Sequence, residues 1–331
     1  MPKNNLAKIA KSLVPPRRGI LAADESTGTM TKRLDSINVA STPKNRLLWR
    51  QIMAITSGIE SAVSGVILFD ETLRNPLPNG TTITKILRQK NIHPGIKVDK
   101  GTVKFNSDEE TFTLGLDGLS ERLEEYKKTG AVFAKWRAVY RIGNNLPSEA
   151  AISANSVGLA EYAYLVQKAG LVPIVEPEVL VLKGDHNLKK SKEATTKVLK
   201  DVFKLLKLFG VKFDSMLLKL NMALPGRDCP TQNSAKEIAK ATVEILRASV
   251  PEQVPGIVFL SGGLTPDEAT VYLSTMNRMY KKLPWQLSYS FGRALQQEAL
   301  KAWGGKSKNV KAAQATFLTR AKKVSAAREG K

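Results

Sequence analysis

The sequence predicts an α/β fold closed as a single-domain (β/α)8 TIM barrel, and two observations predict it. Eight short β-rich runs alternate with longer segments in which apolar residues recur at helical spacing. No composition break or flexible linker divides the 331 residues. Eight β–α alternations argue for a parallel sheet wrapped by helices. An open doubly wound sheet is the alternative, but eight units are many for one and no GxGxxG or P-loop fingerprint accompanies them.

In order, the runs are Gly19–Ser26, Gly65–Glu71, Gly95–Asp99, Val132–Val139, Val172–Val179, Ser215–Asn221, Gly256–Ser261 and Gln286–Ser290. Each is rich in Val, Ile, Leu or Phe and bounded by Gly, Pro, Asp or Ser. The helical stretches between them are Asn45–Ser61, Gly118–Thr129, Glu149–Ala169, Ser191–Phe209, Ala235–Ala248 and Pro266–Asn277, all rich in Lys, Glu, Ala and Leu. One domain over 1–331 is expected, with a barrel core at about 19–305 after an N-terminal extension, and a last helix at about 308–327.

Composition narrows the function. With 42% hydrophobic and 24% charged residues the chain is ordinary globular material. No stretch approaches the ~18 uninterrupted apolar residues of a membrane span. Met1–Asn5 is polar with no signal-type segment behind it, so the cytoplasm is the expected compartment. A lone cysteine, Cys229, precludes an intrachain disulfide and is read as inert beside Pro230. Only His93 and His186 are present, both read as surface or loop residues. Histidine triads and multi-histidine zinc sites therefore have little to draw on. The net charge of +21 predicts affinity for anions. Much of it lies on amphipathic helices, at Lys189 to Lys207 and Lys306 to Lys323, as the solvated outer faces of packed helices. Binding of nucleic acid or acidic filaments is a secondary role at most, and no membrane partner is expected.

The chemistry concentrates where barrel strands end. Those ends carry Asp24-Glu25-Ser26, Asp70-Glu71, Lys97 with Asp99, Lys135 with Arg137, Glu176 with Glu178, Lys219, Ser261-Gly262-Gly263 and Ser290-Phe291-Gly292-Arg293. Lys219 is the most informative, because Met216–Met222 is otherwise almost wholly apolar. A buried lysine must be paired, neutral or covalently used. Lowering its pKa from about 10.4 to about 7–8, as imine formation requires, takes desolvation and a like charge. Lys135 is the neighbour expected to supply that charge. Asp24, Glu176 and Glu178 are candidate acid/base groups. Arg293 with the turns after the last two strands, and Lys97 with Arg137 elsewhere on the rim, suggest a substrate with two phosphates.

These residues sit in long motifs: LAADES at Leu21–Ser26, GVILF at Gly65–Phe69, IKVDKG at Ile96–Gly101, GLDGLSER at Gly115–Arg122 and FAKWR at Phe133–Arg137. VEPE at Val175–Glu178, FLSGG at Phe259–Gly263 and KAWGGK at Lys301–Lys306 complete the set. From about Gly19 to the last helix the chain resembles the class I, Schiff-base fructose-1,6-bisphosphate aldolases. The resemblance implies a lyase of glycolysis and gluconeogenesis that forms an imine between Lys219 and a ketose phosphate and needs no metal or other cofactor. It implies Glu176 as acid/base for carbinolamine and water, Glu178 holding the imine lysine, Lys135 as electrostatic aid, and Asp24 as acceptor of the C4 hydroxyl proton. Ser261, Gly262, Gly263, Ser290, Gly292 and Arg293 would hold the C1 phosphate. Ser26, Thr29, Lys97 and Arg137 would hold the C6 phosphate, with Arg33 swinging between groups. A homo-oligomer, usually a tetramer, is implied as well. Another ketose phosphate, sedoheptulose 1,7-bisphosphate or fructose 1-phosphate, is the alternative substrate, and a basic scaffold the alternative class. The chain departs from the family pattern at Leu220, where relatives carry proline, and at Phe291, where many carry tyrosine. Animal-type relatives close with a tail tyrosine that shuttles a proton; this sequence stops at Arg328-Glu329-Gly330-Lys331, so a changed reprotonation route is expected.

Overall fold

The computed structural model describes residues 4–331, so the polar start read at Met1–Lys3 lies outside the described residues. Helix α1 (Asn4–Leu13) leads into β1 (Gly19–Ala23), α2 (Thr27–Asp35) and α3 (Pro43–Ile55). Then come β2 (Val63–Leu68), α4 (Asp70–Arg74), α5 (Ile83–Gln89), β3 (His93–Lys97), the pair β4 (Thr102–Phe105) and β5 (Ser107–Thr113), and α6 (Leu119–Lys128). Strand and helix alternate through β6 (Phe133–Tyr140), α7 (Glu149–Lys168), β7 (Val172–Val179), α8 (Leu188–Leu208), β8 (Leu217–Leu220) and α9 (Ala235–Ser249). The chain finishes with β9 (Gly256–Phe259), α10 (Pro266–Met279), β10 (Gln286–Phe291), α11 (Arg293–Trp303) and α12 (Val310–Arg328).

Strands β1, β2, β3, β6, β7, β8, β9 and β10 close in that order into a barrel, with every neighbouring pair parallel. The predicted (β/α)8 fold is the observed one, and each of the eight predicted runs supplies one strand. Strands β2, β7, β8 and β9 are buried along their whole length, as parallel strands covered on both faces must be. The helices start where their caps dictate. Thr42, Ser148, Asn187, Ser234 and Thr265 each accept a hydrogen bond from the backbone N–H three residues on. Such a cap is worth about 1 kcal/mol. The predicted stretch Asn45–Ser61 proves to be two pieces, because Gly58, at φ 81°, turns the chain into a separate short turn after α3.

Helix α1 is the main addition to the sequence reading, which has an N-terminal extension of no stated structure before the barrel core. It plugs the end of the barrel at which the strands begin. Its Ala10, Leu13 and the following Val14 pack with Ile20, Phe133, Ile174, Leu217 and Val258 in one buried cluster. Fully burying a side chain such as Leu13 stabilises by roughly 1.5–3 kcal/mol. The packing at this end explains two glycines. A Cβ at Gly95 would stand 2.2 Å from the Phe133 ring of β6, and one at Gly65 would press on Leu13 of the plug at 2.8 Å. Short helices α4 and α5, along with α2 and α11, were also not anticipated, nor was the antiparallel hairpin β4–β5, which turns at Asn106 with φ 56°. Among the described residues no helix is long and apolar enough to cross a membrane.

Candidate active site

A cavity of about 920 Å³ opens at the end of the barrel where the strands finish. The catalytic and phosphate-holding residues expected from sequence line it: Asp24, Ser26, Thr29, Arg33, Lys97, Lys135, Arg137, Glu176, Glu178, Lys219, Ser261, Gly262, Gly263, Ser290, Gly292 and Arg293. The strand pattern produces the convergence. Lys135 and Arg137 are two apart on β6, Glu176 and Glu178 two apart on β7, and Lys219 lies on the adjacent β8. Side chains two residues apart project from the same face of a strand.

At the floor the charges form a chain. Lys219 Nζ lies 3.0 Å from Glu176 Oε1, and Lys135 Nζ lies 3.1 Å from Glu176 Oε2. Lys135 also lies 2.8 Å from Asp24 Oδ2 and 3.8 Å from Asp99 Oδ2. Lys219, Lys135 and Glu176 are all buried. Burial alone would lower the pKa of Lys135, but Asp24, Glu176 and Asp99 around it outweigh that and push it well above the ordinary lysine range. Lys135 is thus a fixed cation. Burial would raise the pKa of Asp24, yet Lys135, then Lys219 and Lys97, hold it well below the usual carboxylate range. Asp24 is therefore an anion throughout the working pH range.

The phosphate-type cations are held by carboxylates. Arg137 Nε donates a short hydrogen bond to Glu178 Oε2, and Lys97 Nζ lies 2.6 Å from Asp99 Oδ1. Arg33 donates to Glu25, whose Oε1 also accepts from Gln296 Nε2 at 2.8 Å. Arg293 differs, with one long contact at 3.5 Å to Leu264 O. The Ser290 hydroxyl is buried, borders the cavity and has no hydrogen-bond partner among the described residues, leaving it available to a ligand. After β9, a Cβ at Gly262 would stand 2.9 Å from Glu178 Oε1, and Gly263 has φ 86°. The left-handed backbone at Gly263 favours glycine, and at Gly262 any side chain would push aside the Leu260 and Glu178 side-chain ends.

The structure adds pairings that the sequence does not show and corrects one expectation. Glu178 pairs with Arg137, and the carboxylate beside Lys219 is that of Glu176. Asp70 and Glu71 leave the rim: Asp70 accepts from Arg74 and Tyr126, and Glu71 from Arg46. They start α4, so their side chains serve the helix layer. His93 opens β3, half-buried, with Nε2 2.8 Å from Ser12 Oγ, and His186 lies in the loop after β7 as read, though its side chain is buried. Sequence reasoning gave no role to Asp99, Glu25 and Gln296, which hold the site's cations or their partners. Asp99 and Glu25 stood in the IKVDKG and LAADES motifs, and buried carboxylates among cations were the signal to follow. Gln296 on α11 had no such signal. Among the described residues no group of three or more His, Cys, Asp or Glu side chains is placed to hold a metal ion.

Comparison with known proteins agrees with this geometry. The family described as fructose-bisphosphate aldolase class-I matches residues 5–331. The cytosolic fructose-bisphosphate aldolase 5 of Arabidopsis thaliana is 50% identical over 329 residues, covering 99% of this chain and 91% of that protein. Fructose-bisphosphate aldolase C-B of Danio rerio is 47% identical over 331 residues, covering 99% and 91%. The aldolase of Plasmodium falciparum, crystallised in a ternary complex with TRAP and a small-molecule inhibitor, superposes with a TM-score of 0.97 at 44% identity, covering 99% of this chain and 95% of that one. With the motif residues gathered in one cavity and the likeness running the length of the barrel, the chain belongs to the class-I fructose-bisphosphate aldolase family.

Proposed function

We propose that this protein is a reversible lyase that splits fructose 1,6-bisphosphate into dihydroxyacetone phosphate and glyceraldehyde 3-phosphate through an imine on Lys219. One observation carries the reading: Glu176 bridges two buried lysines, at 3.0 Å from Lys219 and 3.1 Å from Lys135. Glu176 takes a proton from Lys219, and the freed amine attacks C2 of the ketose. Lys135 faces the oxygen that becomes the carbinolamine hydroxyl and steadies its developing charge. Glu176 passes its proton to that oxygen, takes a second from the attached nitrogen and delivers it to the hydroxyl, which leaves as water, and the protonated imine remains.

The C4 hydroxyl then gives its proton to Asp24. Electrons of the C3–C4 bond flow into the iminium, glyceraldehyde 3-phosphate departs, and an enamine is left on Lys219. Protonation at C3 and addition of water release dihydroxyacetone phosphate and restore the amine. The iminium is the electron sink, so the sequence of steps calls for no metal and full activity is expected in a chelator. Ser261, Gly262, Gly263, Ser290, Gly292 and Arg293 serve the C1 phosphate. Ser26, Thr29, Lys97 and Arg137 serve the C6 phosphate, with Arg33 leaving Glu25 to join whichever is bound. We place the protein in the cytoplasm as a homotetramer, supported by the cytosolic names of its relatives and by the family resemblance.

Dihydroxyacetone phosphate with borohydride should label Lys219 irreversibly. Lys219→Arg should abolish both label and cleavage while the fold survives, because arginine is never the free base that attack requires. Label found mainly on Lys135 or on surface lysines would sink the assignment.

A further inference from the structure

The last helix carries a buried arginine that the chemistry above does not use. Arg320 on α12 has a side chain only 3% exposed, and its guanidinium is committed to two other helices. Nε donates to Ala294 O at 3.2 Å, in the first turn of α11. Nη1 donates to Asp267 Oδ1 at 2.9 Å and Nη2 to Thr270 Oγ1 at 2.8 Å, both near the start of α10. Thr270 Oγ1 passes the restraint on to Pro266 O at 2.7 Å, the first residue of that helix. Lys323 holds the same Asp267 oxygen at 2.7 Å.

These two helix starts are the exits of the two loops assigned to the C1 phosphate. Helix α10 begins just past Ser261–Leu264, and α11 begins at Arg293, one residue before the carbonyl that Arg320 grips. We propose that Arg320 is a positioning residue for the C1-phosphate pocket, fixing the spacing between its two halves. The inference rests on the reading of those loops as that pocket. An anion held by donors from two separate loops is bound well only if both sets converge, and small misplacements are costly. Each loop is braced within itself, Leu264 N donating to Ser261 O at 2.8 Å and Leu295 N to Gly292 O at 3.1 Å, but Gly262, Gly263 and Gly292 have no side chains to reach from one loop to the other. The direct link between the loops, Arg293 to Leu264 O at 3.5 Å, is too long to set the spacing.

The test uses the condensation direction, where the two phosphates arrive on different molecules. Arg320→Met keeps the buried bulk and removes the donors. The KM for dihydroxyacetone phosphate should rise about 5–20-fold, while KM for glyceraldehyde 3-phosphate and kcat per borohydride-trapped site stay within about 2-fold. Arg320→Lys should recover part of the loss. Thr270→Val, a near-isosteric change that tests the same link if Arg320→Met does not fold, should move the same KM by about 2–5-fold. A lower Tm with both KM values unchanged, or an equal rise in both, would show Arg320 to be a general brace and overturn the proposal. If the wild type neither condenses the two triose phosphates nor labels at Lys219, the functional reading itself fails, which is a separate outcome.

Discussion

At the residue scale, the site sets its charges by mutual pairing. Asp24 has its pKa held below the ordinary 3.8 by Lys135, Lys219 and Lys97 despite burial. A carboxylate with a depressed folded pKa contributes stability that is fully present above the unfolded value, about pH 4, and lost as pH falls through the folded one. Asp24 therefore cannot set the acid limb of activity between pH 5 and 7. Asp24→Asn should lower kcat by about 10²–10⁴-fold, the usual contribution of a positioned acid or base, and leave that limb where it was. Imine trapping at Lys219 should persist in this variant, because Asp24 acts after the imine forms; a loss of trapping equal to the loss of turnover would place it earlier. Among the described residues the Arg293 guanidinium meets only a backbone carbonyl, that of Leu264, so its removal leaves no buried carboxylate stranded. Arg293→Ala should cost about 10–150-fold in kcat/KM for fructose 1,6-bisphosphate, as loss of a charge-assisted phosphate contact does. The loss should shrink for an analogue without the C1 phosphate, and an equal loss for both would make Arg293 structural.

At the element scale, the hairpin β4–β5 is tied to the strand that carries the site. Thr113 Oγ1 donates to Arg137 O at 2.9 Å, and Asn155, buried on α7, donates to Thr111 O at 2.8 Å and accepts from Thr113 N at 3.3 Å. Gly101 and Thr102, at the base of the hairpin, border the cavity. Asn155→Ala would strand buried backbone groups at about 1–3 kcal/mol each. Amide exchange should quicken across β5 while the barrel strands keep their protection. Uniform loss of protection would mean that Asn155 supports the barrel as a whole.

At the scale of the whole molecule, the charge of +21 is carried outside the catalytic chain of residues. On α8, Lys189, Lys190, Lys197, Lys200, Lys204 and Lys207 are exposed along one side, and Lys197 pairs with Glu149. Such a face attracts polyanions by counterion release, a force that salt weakens steeply. Retention on duplex DNA or heparin should be lost by about 0.2 M salt, while fructose 1,6-bisphosphate cleavage persists. Retention that survives this salt would make the face a dedicated binding surface.

The sequence by itself determined the barrel and the chemistry. Alternating β and helical periods admit few topologies, and the reaction is read from the long motifs that carry the family resemblance, since a lysine in an apolar strand by itself says only that it is paired, neutral or covalently used. It named most of the residues that line the cavity, because strand ends in a closed barrel meet at one mouth, but it gave no role to Asp99, Glu25 or Gln296 and put Asp70 and Glu71 at the rim. Only the tertiary structure decided who pairs with whom. Glu176 pairs with Lys219 and Glu178 with Arg137, Glu25 holds Arg33, and Asp70 and Glu71 face the helices, because choices among like carboxylates are made by distances of an ångström between strands. It also decided that α1 plugs the barrel and that Arg320 reaches two helix starts from the far end of the chain. Contacts between residues distant in sequence leave no local period, so the amphipathic stripe of α1 shows that something is buried without showing against what.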